Sequence, residues 1–256
     1  MILAIDIGNT NIVMGCFQDS KILFRERVST KHTATDLEYA VTIKTALEMH
    51  HMNPQDIRGA IVSSVVPSVT NTFKRAIEKF CKVKPLVVGP GIKTGLKIRI
   101  DNPAQLGSDL VVDAVAGCQE YPAPMIIIDM GTATTFSVID KNHNYLGGLI
   151  TTGMAVSAEA LVSRTSQLPR VSFDPPKSII GTNTVECIKS GLMYGSASMI
   201  DGLIDRIQAE MGENCTVIAT GGLAGQVVPL CRNSVILDDD LLLKGLMLIY
   251  QKNTEK

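Results

Sequence analysis

The sequence contains no tryptophan and only 4% aromatic residues, so it lacks the stacking platforms on which single-stranded nucleic acids are usually held. Neither sign of charge is in excess: 24 Lys and Arg stand against 25 Asp and Glu. No global field therefore draws the chain to nucleic acid or to a lipid surface. No apolar run reaches the roughly 20 residues that a membrane-spanning helix needs. The opening Met1-Ile-Leu-Ala-Ile-Asp6 has neither the basic start nor the long apolar centre of a secretory signal. Cys16, Cys81, Cys118, Cys187, Cys215 and Cys231 are scattered, with no Cys-x-x-Cys pair. That spacing suits neither a zinc site nor a disulfide framework, and points to reduced thiols in a cytoplasmic protein. His32, His50, His51 and His143 form no His-x-x-x-His pair and read as solvated turn or helix-end residues. The common phosphate loops, Gly-x-x-x-x-Gly-Lys-Ser/Thr and a strand-borne Gly-x-Gly-x-x-Gly, are missing as well.

What the chain does contain is an internal repeat. With 256 residues, 45% of them hydrophobic, it is long enough for one large domain or two smaller ones. Leu3-Ala-Ile-Asp6-Ile-Gly8-Asn-Thr10 is echoed by Ile126-Ile-Ile-Asp129-Met-Gly131-Thr-Ala133, a shift of 123 positions. Each copy opens with an apolar strand ending in Asp-x-Gly. Each continues with two alternating segments, residues 12–17 and 22–28 in the first copy, 134–139 and 145–151 in the second. Period-2 alternation with polar turns predicts a three-stranded antiparallel meander in each half.

Helix and strand signals then alternate. Thr35-x-x-Glu38 has the form of a capping box, with Leu37, Ala40, Val41 and Leu47 on one apolar helical face. Strands are expected at 59–66, 85–88, 216–220 and 234–237. Helices are expected at 68–81, 103–120, 153–163, 185–211, 222–231 and 240–250. Two α/β lobes follow, residues 1–120 and 121–256. Coincidental hairpin turns are the competing account of the two Asp-x-Gly segments, but the same three-strand pattern follows both.

A carboxylate at a strand end holds Mg²⁺ well, usually through waters. The glycine two residues on lets the turn backbone approach a phosphate, and neighbouring N–H groups and Thr10 donate to its oxygens. Two such turns facing one another would clamp a triphosphate, and phosphoryl transfer asks mainly for positioning and charge neutralisation. Ala219-Thr220-Gly221-Gly222-Leu223-Ala224 lies between a strand and a helix, where it reads equally as a nucleoside rest or a plain turn. Asp109, in Gly107-Ser108-Asp109-Leu110, is on residue type alone a helix-start carboxylate; Asp113, one turn on, shares its face.

In this order the motifs resemble the type III pantothenate kinases nearly end to end. The resemblance is carried by Asp6-Ile-Gly8-Asn9-Thr10-Asn11, Ser64-Val-Val-Pro67, Asp101-Asn102-Pro103, Gly107–Asp109, Asp129-Met-Gly131-Thr132-Ala133, Gly147-Gly148, Leu168-Pro169, Gly181-Thr-Asn183-Thr184 and Ala219–Ala224. It implies two duplicated ribonuclease H-like lobes of the actin/Hsp70/sugar kinase-like superfold, with the second lobe forming a homodimer interface. It also implies ATP-dependent phosphorylation of pantothenate to 4'-phosphopantothenate, the first step of coenzyme A biosynthesis, with Mg²⁺ and a monovalent cation, K⁺ or NH₄⁺.

On that likeness Asp6, Ile7, Gly8, Asn9, Thr10, Asn11, Ile12 and Val13 form the first phosphate-and-metal segment. Asp129 serves the monovalent cation and Thr132 the nucleotide phosphates. Asp109 becomes the general base; Ile100, Gly107, Ser108, Asp109, Leu110 and Thr184 line the acceptor site, Thr184 from the partner subunit. Two positions depart from the family pattern. Leu110 stands where an Arg is usual, and Ile100 where a Tyr is usual. The alternative these departures leave open is a paralogue, either a nucleotide-binding accessory protein or a kinase for another small acceptor.

Overall fold

The computed structural model describes residues 1–19 and 21–254. β1 (Ile2–Ile7), β2 (Asn11–Gln18) and β3 (Lys21–Ser29) form the first meander. Next come α1 (Asp36–Met49), β4 (Gly59–Ser64), α2 (Pro67–Cys81), β5 (Leu86–Val87), β6 (Lys97–Ile98) and α3 (Ser108–Glu120). The second meander is β7 (Met125–Met130), β8 (Ala133–Ile139) and β9 (Asn144–Thr152). It is followed by α4 (Met154–Arg164), α5 (Thr184–Met211), β10 (Thr216–Thr220), the single-turn α6 (Ala224–Val227), β11 (Ile236–Leu237) and α7 (Leu241–Thr254).

The chain divides into two units. The first comprises Met1–Leu96, Asn102–Ala116 and the chain from Leu241 onward; the second comprises Lys97–Asp101 and Gly117–Asp240. The first unit is built on a five-stranded sheet in the order β3-β2-β1-β4-β5, in which β1 pairs antiparallel with β2 and parallel with β4. Strand alternation sorts its core: Leu3, Ile5 and Ile7 of β1 pack with Ile43, Leu47, Phe73 and Ile77 from α1 and α2. Ala4 packs on the other face with Ile61, Val112, Leu243 and Leu246. The second unit has a six-stranded sheet in the order β11-β10-β7-β8-β9-β6. There Ile126, Ile128 and Met130 of β7 pack against Met193, Ala197, Ile200 and Ile204 of α5.

The duplication extends to irregularities. β2 and β3 shift register between Cys16 and Phe17, and β8 and β9 between Val138 and Ile139, a spacing of 122 (138 − 16). The difference from 123 arises in the turn after each Asp-x-Gly. Gly8 N–H donates to the Asn11 carbonyl, whereas Gly131 N–H donates to that of Ala133, so the second turn is one residue shorter.

Four expectations need correction. On α1 the capping box forms, Thr35 Oγ1 accepting from Glu38 N–H and the Glu38 carboxylate accepting from Thr35 N–H. However, Leu37 and Val41 are exposed, and the buried face is Tyr39, Ala40, Ile43, Ala46 and Leu47. At about 100° per residue, Leu37 and Val41 lie well away from the arc centred on Ile43. The helix expected from residue 103 starts instead at Ser108, because Asn102 caps a separate 3₁₀ turn over Pro103–Gln105. His50 is not simply solvated: it pairs with Glu26 at 2.8 Å and stacks on Phe24.

The fourth correction concerns α7, expected in the second lobe but part of the first unit. Leu241, Leu243, Leu246 and Ile249 are buried, and Gly245 sits so close to the Val112 carbonyl that no side chain fits between. The β1–β4 surface of the first unit needs an apolar cover, and α7 supplies it. β6, two residues long and without sequence signal, adds to the far edge of the second sheet beside β9.

Candidate active site

In the first unit the site residues gather at the ends of β1 and β4. Asp6 is buried to 8% exposure, while Asn9 and Thr10 in the following turn are exposed. Thr30, just past β3, fastens that turn: its Oγ1 donates to the Gly8 carbonyl at 2.6 Å and its N–H to the Thr10 carbonyl at 2.9 Å. Sequence reasoning missed Thr30, since nothing local marks it; the contact depends on the β2–β3 register. At Gly8 the turn backbone runs close, and a Cβ there would lie a tight 3.0 Å from the Asn11 carbonyl oxygen. Asp6 pairs in register with Ser63 of β4.

Asp109 is the second residue of α3 and is half-buried. Its Oδ1 accepts from Leu110 N–H at 2.9 Å, and burial pushes its carboxyl above the ordinary value of 3.8. The same oxygen folds back over Gly107, where a Cβ would collide with it. Asp113, the other carboxylate considered on this face, is buried to 1% exposure. Only Asp109 of the two keeps appreciable exposure. Leu110 is half-buried beside it.

The second unit repeats the strand-end arrangement. Asp129 is the penultimate residue of β7 and pairs in register with Thr220 of β10, as Asp6 does with Ser63. Thr132 is exposed in the turn, and its carbonyl accepts from Gly153 N–H at 3.0 Å, the counterpart of the Thr30 clamp. Gly221, at φ +98°, crosses directly over Asp129: a Cβ there would come within 2.5 Å of Asp129 Oδ1 and 2.6 Å of Met130 N. The Thr220–Gly221 turn is thus built against the Asp129 carboxylate, which a plain connecting turn would not require. Ile100 is half-buried close to Gly147.

Thr184 is exposed on the first turn of α5, whose N-terminus Asn183 caps by accepting from Glu186 N–H. The segment preceding it is strapped to α5. Lys189 Nζ reaches Asp174 at 2.6 Å, Ser190 Oγ donates to the Ile179 carbonyl, and Lys177 N–H donates to Glu186.

Two sheets, each with a carboxylate near the end of a central strand and a glycine turn after it, have the fold of the actin-like ATPases and sugar kinases. The activator of 2-hydroxyisocaproyl-CoA dehydratase from Clostridium difficile, solved with bound ADPNP, matches with TM-score 0.59 at 16% identity over 98% of this chain and 93% of its own. The (R)-2-hydroxyglutaryl-CoA dehydratase component A of Acidaminococcus fermentans matches with TM-score 0.57 at 16% identity over 97% and 96%. At that identity these likenesses establish the fold.

The family follows from sequence. The type III pantothenate kinase profile matches residues 2–206. A type III pantothenate kinase of Bacillus cytotoxicus is 46% identical over 253 residues, covering 99% of this chain and 97% of that protein. The chain belongs to the type III pantothenate kinase family.

Proposed function

We propose that this chain transfers the γ-phosphoryl group of ATP to the terminal hydroxyl of pantothenate, giving 4'-phosphopantothenate. Family membership carries the reaction; the observation that carries the site is the twice-built strand end, with a carboxylate, an in-register hydroxyl residue and an exposed turn. Asp6 and the backbone from Ile7 to Val13 serve the nucleotide phosphates in the first unit, and Thr132 has the same role in the repeated turn of the second. A Mg²⁺ ion needs only one or two protein carboxylates, because phosphates and water complete its shell. Asp6 fits that need, and Asp129 is the oxygen donor for a K⁺ or NH₄⁺ ion. Such ions supply charge neutralisation as negative charge spreads in the transition state.

Asp109 takes the acceptor's proton. The hydroxyl oxygen bonds to the γ-phosphorus, the bond from that phosphorus to the β,γ-bridging oxygen breaks, ADP leaves, and the proton stays on the carboxylate. Burial, which raises the proton affinity of Asp109, suits this role. Gly107, Ser108 and Leu110 line the acceptor side in the first unit, and Ile100 keeps its acceptor role from the family likeness. A homodimer brings Thr184 of one copy toward the acceptor of the other. Exposed Leu146, Ile150, Val156, Leu161, Ile179 and Ile180 in the second unit supply apolar surface for that contact. Among the described residues no helix is long and apolar enough to cross a membrane, and the six cysteines are free thiols, which favours a cytoplasmic setting. The test is ADP release dependent on pantothenate, with the product identified by mass. ATP binding without such release would refute the assignment.

A further inference from the structure

The Ser64–Pro67 segment has no part in the chemistry so far, yet it is wired to the candidate base. Ser63 Oγ donates to Ser108 Oγ at 2.9 Å. Ser64 N–H donates to the same oxygen at 3.2 Å, and Ser108 Oγ donates to the Ser64 carbonyl at 3.1 Å. One hydroxyl thus uses its single donor and both acceptor sites on the end of one strand. Ser64 is itself held, its Oγ accepting from Val66 N–H at 3.1 Å and from Thr70 Oγ1 at 2.8 Å. Pro67 then opens α2 without a side-chain cap at Val66.

The placement gives this clasp its meaning. Ser108 is the residue before Asp109 and the first of α3. Ser63 pairs with Asp6, and both lie on the sheet face that α3 covers, since Ala4 and Ile61 of the same strands pack with Val112 of α3. Ser63 is fully buried, so its hydroxyl is not a solvent-facing accident. A carboxylate on the first turn of a helix moves with that turn. The clasp therefore sets the position of the base against the strand end that carries Asp6.

We propose that Ser63 and Ser108 are positioning residues for phosphoryl transfer, a hydroxyl clasp that seats Asp109 relative to Asp6. The inference rests on the reading of Asp109 as the base. A displacement of about 1 Å in a reacting group costs on the order of 10²-fold. Ser63→Ala and Ser108→Ala are each expected to lower kcat by about 10- to 100-fold while leaving the Kd for ATP within about twofold. Ser108→Thr, which keeps the hydroxyl, is expected to recover most of the rate. In Ser108→Ala the acid limb of the kcat–pH profile should move toward the ordinary carboxylate range, as the loosened turn admits water.

The decisive comparison uses the Asp109→Asn background. There Ser108→Ala should lower kcat no further, because it acts through the carboxylate already removed. An undiminished further loss in that background, or falls in ATP affinity and Tm that match the fall in kcat, would mark a merely structural role and overturn the proposal. Wild-type kcat in both alanine variants beside a crippled Asp109→Asn would overturn the clasp and leave the base standing. Wild-type kcat in Asp109→Asn would overturn both.

Discussion

As the proposed base, Asp109 meets two opposed demands, chemistry that wants it charged and burial that resists the charge. Its folded-state carboxyl titrates above the ordinary value of 3.8, chiefly through desolvation. Below 3.8 it is protonated folded or unfolded and contributes nothing to pH dependence. As pH rises through 3.8 toward the folded value, the unfolded chain gives up the proton first and stability falls; above the folded value the loss is complete. Asp109→Asn should therefore raise Tm at neutral pH, with the gain vanishing below about 3.8, while kcat drops by ~10²–10⁴. Thermal melts at two pH values and steady-state kinetics read both. Leu110 and Ile100 make a second prediction at this scale. Leu110 offers no hydrogen bond to the pantothenate carboxylate, and one to a charged group is worth ~1.5–3 kcal/mol. Leu110→Arg with Ile100→Tyr should raise kcat/KM for pantothenate by roughly 10- to 100-fold and leave the Kd for ATP unchanged. No change in kcat/KM would show that other groups already hold the carboxylate.

The turn after β10 is where an element, rather than a residue, makes the site. Gly221 has φ +98° and no room for a Cβ above Asp129. Alanine there combines an unfavourable backbone region with displacement of a carboxylate. Gly221→Ala is expected to weaken ATP binding and cut turnover by at least about tenfold, while circular dichroism keeps its native shape. Normal ATP affinity in this variant would show that Asp129 does not depend on the turn. The paired clamps at Thr30 and Gly153 are element-scale devices too, each fastening the turn after an Asp-x-Gly segment to the end of its own meander.

At the scale of the molecule, the apolar last helix offers no free face for a second copy. α7 buries its apolar residues within its own unit. The case for a dimer moves to the second unit, where Ile150 and Ile180 are 76% and 77% exposed. Sedimentation at micromolar concentration should give twice the 27.5 kDa chain mass, and Ile150→Asp with Ile180→Asp should halve it and reduce pantothenate turnover. A wild-type monomer with full activity would remove the partner's Thr184 from the acceptor site.

The two meanders, the Asp-x-Gly turns and the α1 capping box were legible in the sequence, because each depends on neighbours within a few residues. Strand alternation and turn chemistry are local and repeat in the chain whatever surrounds them. Family likeness singled out Asp109 where residue type alone favoured a helix-start carboxylate. The sequence could not show that α7 returns to the first sheet, that Leu37 and Val41 face outward, or that β6 joins the second sheet. Those outcomes depend on which apolar surfaces compete for cover across the whole chain. The same holds for Thr30 on its turn, Gly221 over Asp129, and Ser63 against Ser108. Each contact joins residues at least 20 positions apart, and only the packed sheets bring them within hydrogen-bond or van der Waals range.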